Sequence, residues 1–193
     1  MALSTNYRMS EIGKVRVTDY LTGPCSGQTL KSSSGVEYTW PLVDSYTNLN
    51  PNTNLDPIPG SSITYTPPAN TLQVTYRFQF LVSPNTDPVT PIGCFRFYID
   101  SNEVEFARFV TRGDYNQNLV DFEWTMRVGG TTGNDLRAGI MTSWTTPKTM
   151  KMTVKSNSGT TNGLILHGTW NWEGVVGPRD HTPILSIIAT GFV

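Results

Sequence analysis

Residues 119–128 read LVDFEWTMRV, and their alternation is unbroken: Val120, Phe122, Trp124, Met126 and Val128 fall on one side, Leu119, Asp121, Glu123, Thr125 and Arg127 on the other. A helix would scatter Asp121, Glu123 and Arg127 around its circumference. A strand puts all three on one wet face and the aromatics on the other. The same period recurs outward from this stretch. In TLQVTYRFQF (71–80), Leu72, Val74, Tyr76, Phe78 and Phe80 oppose Thr71, Gln73, Thr75, Arg77 and Gln79. In 94–100, Phe95, Phe97 and Ile99 oppose Cys94, Arg96, Tyr98 and Asp100, and in 149–155 Met150, Met152 and Val154 oppose Thr149, Lys151, Thr153 and Lys155. Further strands are expected at 63–66, 103–110, 135–143, 163–172 and 183–190. Turn chemistry joins them at Ser83-Pro84-Asn85, Gly129-Gly130, Thr146-Pro147, Asn157-Ser158-Gly159 and Gly177-Pro178. With no 3.6-residue stripe and no internal repeat, the pattern predicts an all-β, antiparallel sandwich or barrel of about eight strands.

Composition agrees. The chain has 193 residues, of which 37% are hydrophobic and 15% charged, against about 25% charged in ordinary soluble domains. Thr, Ser and Asn take the place of the missing charge, as suits strands and uncharged outer faces. The net charge of −1 gives no field that would attract phosphate. The first thirty residues carry only Arg8, Lys14 and Arg16 against Glu11 and Asp19. A nucleic-acid-packaging arm has to neutralise many phosphates, so no nucleic-acid partner is expected. Cys25 and Cys94 show no metal spacing and are expected as unpaired thiols. The N-terminal MALSTNYRMSEIG lacks an apolar run, no stretch approaches membrane-spanning length and no Asn-x-Ser/Thr sequon occurs. Folding in a reducing host cytoplasm, with no membrane partner, is the expectation.

Residues 44–62, DSYTNLNPNTNLDPIPGSS, are saturated with turn formers. Two short strands, KVRVTDYL (14–21) and VEYTWPLV (36–43), precede them. Residues 1–62 are accordingly expected to form an extended N-terminal arm with a Pro/Asn-rich linker, and 63–193 the body.

Candidate chemistry is sparse. His167 and His181, with Glu173 and Asp180, form the one His/carboxylate group, but they lack metal-ligand spacing, and His167 reads as a solvated strand histidine. Gly23-Pro24-Cys25-Ser26-Gly27 places serine in the wrong slot for a nucleophile elbow, and phosphate-binding glycine loops are absent. Asp121 with Glu123, and Glu103 with Glu105, share strand faces at a separation of roughly 6–7 Å, within reach of glycosidase geometry. Alternation on a wetted face produces the same arrangement without function. No catalytic residue, metal or cofactor is therefore expected. Among the aromatics, Trp124 falls on the core side. Trp170 and Trp172 share a face beside Gly168 and Gly174, and with Trp144 and Tyr115 of the 113–118 loop they are the candidate contacts for a subunit or a glycan.

The order of segments after residue 62 carries a resemblance. SSITYTPPANTLQVTYRFQF, FRFYIDSNEVEFARF, VDFEWTMRVG, SWTTPKTMKMTVKSNSG, GLILHGTWNWEG and TPILSIIA follow one another over roughly 63–190. The series resembles the jelly-roll domains of virion proteins of phages and large DNA viruses. Those are similar in turn to trimeric tumour-necrosis-factor and complement-like heads. Tyr98-Ile99-Asp100 and Trp144 to Met152 fill the places of the mid-domain "YIDG" strand end and the late "W-x-x-P-K-T-L-K" hairpin. The resemblance implies a jelly roll and a homotrimer. It also implies a non-enzymatic virion structural protein, a capsid decoration, cement or minor capsid protein on the capsid exterior, bound to other capsid proteins through its arm. The alternative it implies is a receptor- or glycan-binding head of a viral fibre or spike, with a host surface glycan as partner. No collagen-like or heptad stalk precedes the body here.

Overall fold

The alternation is realised strand by strand. The computed structural model describes residues 15–49, 54–84, 92–112, 117–129, 133–156, 163–169 and 179–192. In chain order the strands are β1 (Val15–Pro24), β2 (Thr29–Lys31), β3 (Glu37–Thr39), β4 (Thr47–Leu49), β5 (Asp56–Pro57), β6 (Ile63–Tyr65), β7 (Thr71–Pro84), β8 (Ile92–Ile99), β9 (Asn102–Glu103), β10 (Phe109–Arg112), β11 (Asn118–Val128), β12 (Ile140–Met141), β13 (Lys148–Ser156), β14 (Leu164–Leu166), β15 (Gly168–Thr169), β16 (Arg179–Asp180) and β17 (Ile184–Phe192). A larger sheet runs β1-β17-β7-β11-β12, with β14 continuing beside the far half of β7 and β4 beyond it. A smaller sheet runs β10-β8-β13-β5, with β6 also on β13 and β9 on β8. The two sheets face each other as an all-β, jelly-roll-like sandwich.

Aromatic side chains fill the space between them. Tyr76, Phe78 and Phe80 from β7 and Phe95 and Phe97 from β8 are buried, with Phe122 from β11 behind them. The rings lie at contact distance: Tyr76–Phe97 centroids are 4.9 Å apart, Phe80–Phe95 5.7 Å, and Phe109–Phe122 are stacked at 5.4 Å. This last pair ties β10 of one sheet to β11 of the other. On the opposite flank Tyr65 Oη of β6 donates to Asp19 Oδ2 of β1 at 3.0 Å. One lateral side of the sandwich is therefore β10 over β11, and the other is β6 over β1.

Several expectations are corrected in detail. The largest concerns residues 15–49 and 54–62, which are built into the sandwich. Strand β1 pairs antiparallel with β17 from Val15↔Phe192 to Pro24↔Ile184, and Leu21, Cys25, Trp40, Val43, Leu49 and Ile58 belong to the same core as β7. The segment is poor in apolar residues because it supplies only an edge strand and a few large plugs. Trp40, whose indole Nε1 donates to the Gly23 carbonyl at 3.1 Å, is the largest of these. Residues 1–14 lie outside the described residues.

The expected strand at 103–110 is broken by a 3₁₀ turn over Glu105–Ala107. The one at 135–143 contracts to Ile140–Met141. The one at 163–172 is interrupted at His167, whose φ of +61° no strand residue can hold.

Candidate assembly interface

The outer face of the larger sheet divides in two. Register sets cross-strand rows on it: Val17–Thr190–Gln73–Arg127, Tyr20–Ile188–Thr75–Thr125, and Thr22–Ser186–Arg77–Glu123. On the β7–β11 half Arg77, Asp121 and Glu123 are paired within the chain, and Arg127 is exposed. Arg77 grips Asp121 through Nε at 2.8 Å and Nη2 at 2.5 Å, and Glu123 lies 3.9 Å from Arg77 Nε. On the β1–β17 half the face carries no charge, and it leaves large apolar groups in water: Val15 is 58% exposed, Val17 57%, Tyr20 61% and Phe192 44%. Among the described residues β1 has a strand partner only in β17, and side chains reach its other edge: Ser33 Oγ donates to the Thr18 carbonyl and Trp40 Nε1 to the Gly23 carbonyl. Sheets usually blunt an edge strand with charge, proline or a bulge. Here the exposed Arg16, the inward-pointing Asp19, the bulge between Val17 and Asp19 and the terminal Pro24 do so.

Toward the other lateral side Phe106 is exposed, with Val110 on the outer face of the smaller sheet and Leu119 on that of the larger. Between β10 and β11 opens a cleft of about 270 Å³ walled by Phe106, Phe109, Phe122 and Trp124, with Arg108, Asp121 and Glu123 at its lips. The periodicity of 119–128 anticipated this outer-facing Leu119. The exposed face of β1 was missed, although its signal is legible: Val15 and Val17 alternate with Arg16, and Ile188 and Phe192 fall on the side of β17 that otherwise carries Ser186 and Thr190.

The residues expected to make contacts are distributed differently. Tyr115, Trp170 and Trp172 lie outside the described residues. Trp144 is only 4% exposed. Its indole Nε1 donates to the Tyr65 carbonyl at 3.2 Å and its ring meets Tyr65 edge-on. One side of it lines a cavity of about 320 Å³ with Pro67, Pro68, Asn70 and Ser143.

The residues weighed for chemistry are held in structural roles. Glu103 accepts from both Arg96 (3.1 Å) and Arg108 (2.5 Å), and Glu105 from Arg137 (3.1 Å). The hydrogen bond from Arg108 holds the Glu103 carboxyl below its ordinary range, and the one from Arg77 does the same for Asp121. A general acid needs the opposite shift. Cys25 and Cys94 are free thiols, and burial pushes Cys25 up to about 12, so it is no nucleophile near neutrality.

His167, expected in solvent, is fully buried. Its left-handed backbone turns the ring inward against Phe78 and Phe80, and Nε2 lies 2.9 Å from the Pro59 carbonyl. Burial pulls its pKa down to about 4. No group of three metal-ligating side chains occurs among the described residues, and Glu173 lies outside them.

Fold and surface together define an all-β sandwich whose distinguishing exposed feature is apolar. No family model matches the chain, and no curated protein matches it. Two solved structures overlap it loosely. A chain of the infectious bursal disease virus Gx strain structure is 12% identical, with a TM-score of 0.36 over 93% of this chain and 42% of that one. A chain of the Gt strain structure is 10% identical, with a TM-score of 0.27 over 100% of this chain and 46% of that one. The chain spans less than half the length of either. Overlaps this loose carry no argument about function.

Proposed function

We propose that the chain is a non-enzymatic structural protein of a virion, a jelly-roll sandwich that works as a homotrimer to decorate or cement a capsid, or as a minor capsid protein on its exterior. The observation that carries the reading is the uncharged outer face of β1 and β17, where Val15, Val17, Tyr20 and Phe192 stand in water. A contiguous apolar face on an edge strand suits a contact surface, because exposing it has a hydration cost that burial against a partner removes. The paired state of Glu103, Glu105 and Asp121 supports a role without chemistry. The virion setting is supported by the ordered motif series over 63–190 and by the sandwich those segments form. Because residues 15–49 and 54–62 belong to that sandwich, the anchoring role falls on the residues ahead of Val15.

The test is the mass of the purified full chain in solution by light scattering. Three chain masses are expected. A monomer at tens of micromolar would overturn the homotrimer reading.

A further inference from the structure

We infer that the outer face of the smaller sheet binds a sulfated polysaccharide, through a band of four cations that the fold assembles from Arg96, Arg108, Lys151 and Lys155. The inference concerns a different face from the β1–β17 surface and stands apart from the oligomer reading.

In the sequence these four cations are scattered singly between positions 96 and 155, so the chain shows no basic run. Register brings them together. The outward positions of β8 are Cys94, Arg96 and Tyr98, and those of β13 include Lys151, Thr153 and Lys155. Lys155 stands opposite Cys94, Thr153 opposite Arg96 and Lys151 opposite Tyr98. At a rise of about 3.3 Å per residue and a strand spacing of about 4.8 Å, the Cα of Arg96 lies about 8 Å from that of each lysine. Arg108, just ahead of β10, extends the band on the far side of Arg96. Both guanidinium groups reach the Glu103 carboxylate, Arg96 through Nη1 at 3.1 Å and Arg108 through Nε at 2.5 Å.

Four cations against one carboxylate leave this face three positive charges in excess on a chain of net charge −1, so the remainder of the chain sums to −4. Lys148 is matched by Asp100 at 3.3 Å, and Asp56 of the edge strand β5 stands opposite the inward-facing Val154. Among the described residues Lys151 and Lys155 have no carboxylate partner. Each arginine spends one N–H on Glu103, and a guanidinium carries five. Within the band Thr153 is only 9% exposed, and its Oγ1 has no hydrogen-bond partner among the described residues.

The ligand class follows from what the face has and what it lacks. Sulfate oxygens suit both kinds of cation, the arginines as forks and the lysines as point charges. Cations about 8 Å apart are too widely spaced to share one small anion, so the fit is to a chain that carries its anions at intervals. Single-stranded nucleic acid would need free aromatic faces on which to stack its bases. The one ring in the band, Tyr98, has Lys151 over it at 5.9 Å. An acidic protein would need an apolar anchor at the centre of the contact, and the centre here is Thr153 between Arg96 and the two lysines. A polysaccharide needs neither. Its own hydroxyls match the paired hydroxyls of Thr64 and Thr149 at the end of the band, and the acidic remainder of the molecule steers a polyanion to this face.

The experiment measures retention of the full chain on immobilised heparin at low salt and the salt at which it elutes. The chain should be retained and released by salt, and fully desulfated heparin should not hold it. Lys151→Gln with Lys155→Gln should weaken heparin binding roughly tenfold or more, whereas Lys151→Arg with Lys155→Arg should preserve it. Arg16→Gln with Lys31→Gln removes the same charge from elsewhere in the chain and should leave binding unchanged. Near-UV circular dichroism verifies each fold; if the glutamine pair unfolds the chain, Lys155→Gln alone takes its place and is read in the same way. A chain that heparin does not retain, a glutamine variant that binds as before, or a control pair that weakens binding as much, overturns the inference. Tighter binding of polyuridylate or polyglutamate than of heparin overturns the polysaccharide as occupant, in favour of nucleic acid or an acidic protein.

Discussion

Lowering the pH from 7 to 4 should destabilise the fold through one side chain, His167. The ring is fully buried, with its Nε2 2.9 Å from the Pro59 carbonyl and the rings of Phe78 and Phe80 about it at 6.2 and 6.0 Å. Burial disfavours the imidazolium and is the largest cause of its low pKa; the Pro59 carbonyl acts the other way, and His181 adds to the lowering. In the unfolded chain the group titrates at 6.5, and in the folded chain at about 4. A folded pKa below the unfolded one means that the unfolded state binds the proton first. The stabilisation is therefore whole above pH 6.5, erodes as the pH falls toward 4, and is gone below that. The interval of about 2.5 units, at about 1.36 kcal/mol per unit, gives about 3 kcal/mol. That is a large share of a typical domain's ~5–15 kcal/mol. Urea unfolding at pH 7, 6, 5 and 4 should show the loss. The control is His167→Asn, because asparagine tolerates a φ of +61° and does not titrate. It should be less stable at pH 7 yet lose less on acidification. Protonation of the carboxylates acts on both chains and cancels in the comparison. Parallel pH profiles for the two chains would refute the argument.

Four further outcomes are expected. Gly60→Ala should lower stability by roughly 1–3 kcal/mol in urea unfolding, since Gly60 has φ +79° and an added Cβ would sit 2.7 Å from Val43 Cγ2. Asp19→Ala should cost about 1–3 kcal/mol by the same measurement, because the buried carboxylate accepts from Tyr65 Oη and Ser33 N at 3.0 Å each; combining it with Tyr65→Phe should cost less than the two changes summed. Asp121→Asn should move thermal stability little, the Arg77 pair being solvent-exposed and screened by water, and an activity screen against glycans should read zero before and after. A chain without residues 1–62 should fail to give a native near-UV spectrum, because it lacks β1 and Trp40, whereas one without residues 1–14 should retain that spectrum.

Most of the sandwich was legible wherever one face of a strand meets the core and the other meets water. The alternations in 71–80, 94–100, 119–128 and 149–155 all became strands with the expected inner faces, apart from half-buried Leu72, Trp124 and Val128. Two kinds of position hid from that signal. Where both faces of a strand are covered the period disappears: Leu164, Ile165 and Leu166 of β14 are all buried, and nothing in the run tells which way His167 turns. Where an edge strand contributes few core residues, apolar content is too low to mark it as part of the body. In β1 only Asp19 and Leu21 are buried, and Asp19 is polar; its partner Tyr65 lies 46 residues away, and no local pattern announces the pairing. The expected arm at 1–62 and the missed contact face on β1 thus have a single cause.

The two halves of the outer face also differ in what they offer a partner. On β7 and β11 Arg77 is held by Asp121 and Glu123 and Arg127 is exposed, so that half presents charged groups that a partner would have to desolvate. On β1 and β17 the apolar side chains are interspersed with Thr22 and Thr190; Thr22 is hydrogen-bonded to the buried Ser186 at 2.7 Å. A partner settling there displaces water from methyl and aromatic groups without having to strip an unpaired charge, which is the cheaper desolvation by several kcal/mol. The asymmetry is written into the register. Shifting β17 by one residue against β1 would turn Leu185, Ile187 and Ala189 outward and Ile188 and Thr190 inward, disrupting the core and the outer face together. Fold and interface are therefore set by the same pairing, and a change that alters one without the other has to act on side chains such as Tyr20 that face only water in the single chain.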